Sequence, residues 1–369
     1  MGIRPVPSAA VDDPLARRSI AVLTGGQARS GAFIASPAFP VYRYAWLRDG
    51  AVCAVALDVA GEDRAARAFH DWAVSSIERH RPMIEAAIAR LAGGEMPRPD
   101  SMPPARYTLD GALEADGDEP WPNFQIDGYG MWLWALGQHS DGDTDAATRS
   151  ASDLVARYLR ASWRLKCFNC WEEFDGGEHA STLAAVVAGL EAAARLLDDP
   201  DCAAQAERVR AHILEHFVVD GRFRRGREDD RLDGSLAWLG VPFAVLPPSD
   251  ARMTATIEAI RRDLTGPEGG VYRYRGDTYY GGGEWLLLTS SLAWHDAVTG
   301  NLSRSVTAQD WVRSQARANG DLPEQVAEQA QSPEMVEPWE RRWGPAATPL
   351  LWSHAMYLIA EAAATTNGG

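Results

Sequence analysis

Two kinds of helical segment alternate along this chain, six times over. The first kind is apolar nearly all round and covers residues 50–60, 128–139, 180–197, 235–246, 285–298 and 346–364. A helix apolar on every face is buried on every face. The second kind is amphipathic, with apolar residues at helical spacing and one charged face. It covers residues 11–23, 63–79, 145–163, 201–217, 250–262 and 304–317. A double ring satisfies both kinds, with six buried helices inside and six half-exposed helices outside. The pattern therefore predicts an all-α fold, an (α/α)6 barrel. An open helical solenoid is the competing layout, but it would leave the inner helices half exposed. Strand signals are sparse, the clearest at residues 32–36 and near Phe223 and Tyr272. Residues 1–369 read as a single domain.

The connections differ by direction. From a buried helix to the next outer helix they are short, as at Ala60-Gly61-Glu62 and Asp198-Asp199-Pro200. From an outer helix to the next buried helix they are long and carry most of the Trp, Tyr and Gly, with several isolated carboxylates. Long loops in a compact domain are usually functional. All of them precede an inner helix, so they should gather as one cup at one end of the barrel. The Pro- and Gly-rich segment 81–118 reads as an elaborated loop with room for one extra helix.

Composition removes several function classes. With 46% hydrophobic and 24% charged residues, the chain can build a large core and is not generally disordered. Its net charge of −15 opposes non-specific attraction to nucleic acid and to anionic membranes. No apolar run approaches the roughly 18 residues of a membrane span. Residues 1–18 are Pro-rich and then charged, without the apolar core of a signal peptide. With only four cysteines, this predicts a reducing cytoplasm. Cys53 and Cys202 read as small core residues. Cys167 and Cys170 form one C-x-x-C without a second pair, so neither a metal nor another cofactor is predicted. His212 and His216 read as a surface pair on an outer helix, and His179 as the one histidine near the cup. Nothing in the sequence sets an oligomeric state.

The cup loops carry the chemistry. They read Tyr42-Arg-Tyr-Ala-Trp46-Leu-Arg48-Asp49, then Trp121 to Asp127-Gly128, then Trp171-Glu172-Glu173, then Arg273-Tyr-Arg-Gly-Asp277-Thr-Tyr-Tyr to Trp285. A fifth loop holds Glu324-Gln325, Trp339 and Trp343, with Trp352 just inside the last helix. Aromatic platforms mixed with carboxylates and Arg describe a sugar site. Pyranose faces pack on Trp and Tyr rings, and hydroxyls bond to Asp, Glu and Arg. The glycines at 281–283 lack a following Lys-Ser/Thr, so a P-loop is excluded. Glycoside hydrolysis needs one protonated and one ionised carboxyl. Glu172, beside Trp171 and the like charge of Glu173, is predicted to have a raised pKa. Glu324 comes from another loop and can approach from the opposite side of a ring. Asp49 has a bland alternative, as the N-cap of the following helix. Trp132, Trp134, Trp238 and Trp294 lie on buried segments and read as core.

These motifs together resemble glycoside hydrolase family 15, which includes glucoamylases, glucodextranases, bacterial trehalases and isomaltose glucohydrolases. The resemblance rests on Ala35-Ser36-Pro37 with Trp46-x-Arg48-Asp49, on Trp121 with Asp127-Gly128, on Trp171-Glu172-Glu173, on Arg273-Tyr274-x-x-Asp277, and on Glu324-Gln325 with Trp352-Ser353. It implies that Glu172 is the general acid and Glu324 the general base. It further implies that Tyr42, Trp46, Arg48 and Asp49 form the terminal-glucose pocket. Trp121 would support the acid side and Trp352 floor the base side, Glu173 and Arg273 would contact the sugar or its leaving group, and Trp171 is a further substrate-binding candidate. The family inverts the anomer, which needs about 6.5–9.5 Å between the two carboxyls. Asn169 stands where fungal glucoamylases carry an Asp, and Glu284 where many members have Pro, so both depart from the family pattern. The expected function is an exo-acting, inverting α-glucoside hydrolase that releases β-glucose from short oligosaccharides. Isomaltose and α-1,6 oligomers rank first, then α-1,4 oligomers, then trehalose. A non-catalytic sugar-binding protein on the same barrel and a peptide-binding helical scaffold are the readings from other classes.

Overall fold

The structure, a computed structural model, describes residues 13–368 apart from 97, 115–120, 122 and 141–143. Along the described residues run α1 (Pro14–Gly25), α2 (Leu47–Val59), α3 (Asp63–Arg79), α4 (Arg81–Ala92), α5 (Asp127–His139), α6 (Ala146–Ser162) and α7 (Ala180–Leu197). They continue with α8 (Pro200–His216), α9 (Ala251–Leu264), α10 (Leu286–Val298), α11 (Leu302–Ser314), α12 (Val336–Trp343) and α13 (Leu351–Gly368). The outer segment expected from residue 11 begins outside the described residues. Its helix starts where Asp13 caps the backbone N–H groups of Leu15 and Ala16 and Pro14 fills the first turn.

The inner ring closes. α2 packs on α5, α5 on α7, α7 on a 3-10 turn at Gly234–Leu239, that turn on α10, α10 on α13, and α13 back on α2. α1, α3, α6, α8, α9 and α11 pack around it. This is the (α/α)6 barrel expected from the alternation, and closure removes the solenoid. α5 and α7 approach most intimately at two glycines. A Cβ on Gly130 would stand 2.4 Å from the Ala185 carbonyl oxygen, and one on Gly189 2.6 Å from that of Gly130. Contrary to the expectation that no apolar run approaches a membrane span, α7 is long and apolar enough to cross one by length and composition, with mean hydropathy 1.5, yet 78% of it is buried in the ring.

The fourth inner element is a correction. Residues 235–246 form a 3-10 turn and then irregular chain rather than a helix. Asp233 caps it at Ser235 N, but Pro242, Pro247 and Pro248 withhold donors from any continuing helix. The expected strand at 32–36 is also absent; a single bridge, Gln27 to Phe33, stands there. Segment 81–118 does hold an extra helix, α4. α12 was not foreseen.

Short antiparallel strands brace the cup. β1 (Ala45–Trp46) pairs with β2 (Arg106–Tyr107), and β3 (Val218–Val219) with β4 (Arg222–Phe223). β5 (Val271–Tyr272), β6 (Glu284–Trp285) and β7 (Gln325–Val326) form a three-stranded sheet. β1 runs directly into α2 and β6 into α10, so each launches an inner helix from the cup rim.

Candidate active site

A cavity of about 250 Å³ opens at the N-terminal ends of the inner helices. Its walls come from five of the six long loops, and every site residue singled out from the sequence lines it: Tyr42, Trp46, Arg48, Asp49, Trp121, Trp171, Glu172, Glu173, Arg273, Glu324 and Trp352. Seven of the chain's 14 tryptophans face it, a density that suits flat apolar sugar faces. Trp238, a core residue as expected, lies behind Trp171 and Trp352, with ring centroids 5.9 and 5.6 Å away.

The Glu172 loop is a tight, strained turn. Glu172 and Phe174 have φ of +63° and +58°, in the left-handed region disfavoured for side-chain-bearing residues. Asn169 holds the turn, because its Oδ1 accepts the backbone N–H groups of Trp171 and Glu173, each at 3.0 Å. An Asp could offer the same acceptor, so the departure at 169 keeps the scaffold. Trp171 is anchored through its indole N–H to Asp233. On Glu172 itself, Oε1 accepts from Trp46 Nε1 at 2.6 Å and from Gln125 Nε2 at 3.2 Å, with Arg48 Nη2 at 3.6 Å. A proton on this carboxyl therefore belongs on Oε2.

The expected like-charge pressure from Glu173 is not what the structure shows. The left-handed turn sends the two side chains apart, and Glu173 bonds to Arg273 at 3.1 Å and to the Tyr274 hydroxyl at 2.5 Å. Arg273 is locked in turn by a bidentate pair with fully buried Asp277, both bonds 2.7 Å. Arg48 is a second buried cation at the cavity. It bonds Gln125, stands 3.5 Å from both Asp127 and Asp49, and lies 5.6 Å from the Trp352 ring centre. Asp49 sits in the first turn of α2, whose N-cap is Trp46, so the capping alternative fails. Burial pushes Asp49 up to about 6 against the pull of Arg48. Its Oδ2 has no hydrogen-bond partner among the described residues.

Glu324 is fixed by the base of α13. Its N–H bonds the Ala347 carbonyl, Ser353 Oγ holds the Pro323 carbonyl, and His354 Nε2 accepts the Leu322 N–H. Gln325 pairs with Trp285 in the sheet. Tyr42 donates to Glu324 Oε1 at 3.1 Å, and the Tyr279 hydroxyl lies 2.8 Å from that of Tyr42. Glu324 Oε2 is buried and has no partner among the described residues. Burial pushes this carboxyl up to about 8, with Arg273 and the Tyr42 and Tyr279 hydroxyls opposing. A base on this site must lose its proton first. The acidic limb of kcat/KM is thus expected far above the ordinary Glu value of about 4.3. Tyr42→Phe removes a donor that favours the ionised form and should move that limb further upward. A pH–rate profile of both proteins checks this; a limb near pH 4 in the wild type contradicts it.

Trp46 and Tyr42, whose ring centroids are 5.7 Å apart, thus hold one carboxylate each. Behind them, Arg106 of the 81–118 segment stacks on Tyr44, Trp46 and Trp121 and pairs with Glu114. The sequence reading missed Arg342 of α12, which lines the cavity and carries no motif. It also passed over Tyr279 and Gln125, though both lie in the quoted loops. His179 anchors the acid loop from behind, its Nε2 within 2.9 Å of the Cys167 and Phe174 carbonyls, and does not line the cavity. His212 is buried and paired with Glu178 at 2.8 Å rather than exposed at the surface. Glu284 lies in β6 away from the cavity, and burial pushes it up to about 7.

Comparison with known proteins gives a consistent picture. The family model described as glycosyl hydrolases family 15 matches residues 16–320. An isomaltose glucohydrolase of Kribbella flavida is 41% identical over 354 residues, covering 94% of this chain and 91% of that protein. A solved glycosidase variant in complex with glucose is 40% identical, with a TM-score of 0.89, covering 95% of this chain and 96% of its own. A bacterial glucoamylase complexed with acarbose is 19% identical, with a TM-score of 0.70 over 96% of this chain and 56% of its own, a likeness of fold.

Proposed function

The chain belongs to glycosyl hydrolase family 15 and is a glycoside hydrolase, and from that premise we propose that it is an exo-acting, inverting α-glucosidase for isomaltose and short α-1,6-linked oligomers. The observation that carries the mechanism is the pair of carboxyls, Glu172 and Glu324, which reach one Trp-lined cavity from two different loops. Glu172, with donors crowding Oε1, protonates the bridging oxygen from Oε2. Glu324, freed of its proton, takes one from a water that attacks the anomeric carbon from the opposite face. The C–O bond to the leaving sugar breaks as the water oxygen bonds to carbon, and β-glucose is released. The acceptors Asp49 Oδ2 and Glu324 Oε2 and the indole N–H donors of Trp285 and Trp352 are buried with no hydrogen-bond partner among the described residues. A bound polyhydroxyl ring and its attacking water can meet both kinds. Arg48 and Asp49 grip hydroxyls of the terminal glucose, with Tyr42 and Trp46 as wall, Trp121 beside the acid and Trp352 beneath the base. Glu173, Trp171 and Arg273 face the leaving group.

The choice of α-1,6 linkage draws on the isomaltose glucohydrolase relative and on the small cavity, rimmed by Trp339, Arg342 and Trp343, which suits a short substrate. Four free, buried cysteines fit a reducing cytoplasm as the place of action. We assign it neither nucleic acid nor membrane as partner, in keeping with its net charge of −15. Initial rates on isomaltose, maltose, trehalose and soluble starch test the ranking. Isomaltose should give a kcat/KM at least tenfold above each of the others; equal or faster cleavage of starch or trehalose contradicts it.

A further inference from the structure

At the barrel end opposite the cup, three helices bring together side chains that the hydrolysis does not use. Asp58 lies in the last turns of α2, His70 in the middle of α3 and His139 at the end of α5. Each offers one metal-binding atom within 4.8 Å of those of the other two. Nine residues of helix, roughly 13 Å, separate Asp58 from Asp49 in the cup.

Two independent features set this cluster apart from an ordinary surface ion pair. His70 is buried, and neither of its ring nitrogens has a hydrogen-bond partner among the described residues. An imidazole always presents at least one donor, and a neutral one also an acceptor; buried polar atoms left unmet in this way are rare in folded proteins. Asp58 Oδ2 is likewise buried and unmet, while Oδ1 lies 2.8 Å from His139 Nδ1. The His70 and His139 rings lie 5.0 Å apart at 34°, close without a bond between them.

We propose that Asp58, His70 and His139 form a zinc-class divalent metal site that ties α2, α3 and α5 together. Two imidazoles and one carboxylate are the ligand types zinc takes, at about 2.0–2.2 Å. Tetrahedral ligands at that range stand roughly 3.3 Å apart. Asp58 and His139 are already closer than this, and the His70 ligand atom, within 4.8 Å of theirs, has at most about 1.5 Å to close. Asp58 and His139 keep 20% and 17% side-chain exposure, which gives the ion an entry path and leaves a fourth position to solvent. The ligands sit on three separate helices, which is why no sequence spacing announces them.

Cobalt(II) is a visible probe for such a site. Full-length protein, treated with chelator and then titrated with Co²⁺, should develop d–d absorption that saturates at one equivalent and is displaced by Zn²⁺. His70→Phe and His139→Asn should each weaken Co²⁺ binding at least 100-fold. The second variant changes a half-buried helix end and keeps the test valid if the first does not fold. Zn²⁺ should raise the Tm of the wild type but not of His139→Asn. No saturable absorption, or absorption and a Tm shift that persist in His139→Asn, would overturn the proposal.

Discussion

Glu324→Gln is expected to lower kcat on isomaltose by about 10²–10⁴-fold, the usual contribution of a positioned general base. The amide keeps the shape of the side chain and can still accept from Tyr42, but it cannot take a proton from water. Folding should not suffer. The wild-type carboxyl is buried, with one oxygen unmet, and carries the cost of a desolvated charge when ionised. A neutral amide relieves that cost, so Tm should stay level or rise. Glucose affinity should persist, because Arg48, Asp49 and the indole walls are untouched. A variant with more than a tenth of wild-type turnover shows that another group activates the water.

Glu172→Gln is expected to cut isomaltose turnover by a similar factor, about 10²–10⁴-fold, yet spare substrates that need no proton on the leaving group. α-Glucosyl fluoride is such a substrate, since fluoride departs unassisted. On it Glu172→Gln should retain most of the wild-type rate, whereas Glu324→Gln should lose both activities. This contrast separates acid from base by chemistry. It matters because burial raises Glu324, the proposed base, rather than favouring its ionised form. If Glu324→Gln instead keeps fluoride hydrolysis and Glu172→Gln loses it, the two roles are exchanged.

Much of this molecule was readable from periodicity. α3 and α7 begin and end where the pattern placed them, because each has one consistent burial character and a clear stop. The inner segment 235–246 misled, since its apolar run is cut by prolines whose effect outweighs hydrophobicity. α12 was hidden because eight residues are too few for a period to show. At the site, each of the eleven residues given a catalytic or binding role lines the cavity, whereas Asp127, Tyr274, Asp277 and Gln325 of the same motifs do not. The electrostatics were less readable. Adjacency of Glu172 and Glu173 suggested repulsion, but a left-handed φ at Glu172 separates them. Glu324 gave no sign of deep burial, which arises from loops and helices more than 200 residues apart, Tyr42 among them. The role of Asn169 as a turn scaffold likewise depends on backbone geometry that no motif states.

The stereochemistry of the first product tests the two-carboxyl mechanism most directly. Proton NMR during isomaltose hydrolysis, followed before mutarotation sets in, should show the anomeric signal of β-glucose growing first at the rate of substrate loss, with α-glucose from the non-reducing unit appearing only by mutarotation. Early release of that unit as α-glucose would contradict water attack directed by Glu324 across the ring from Glu172.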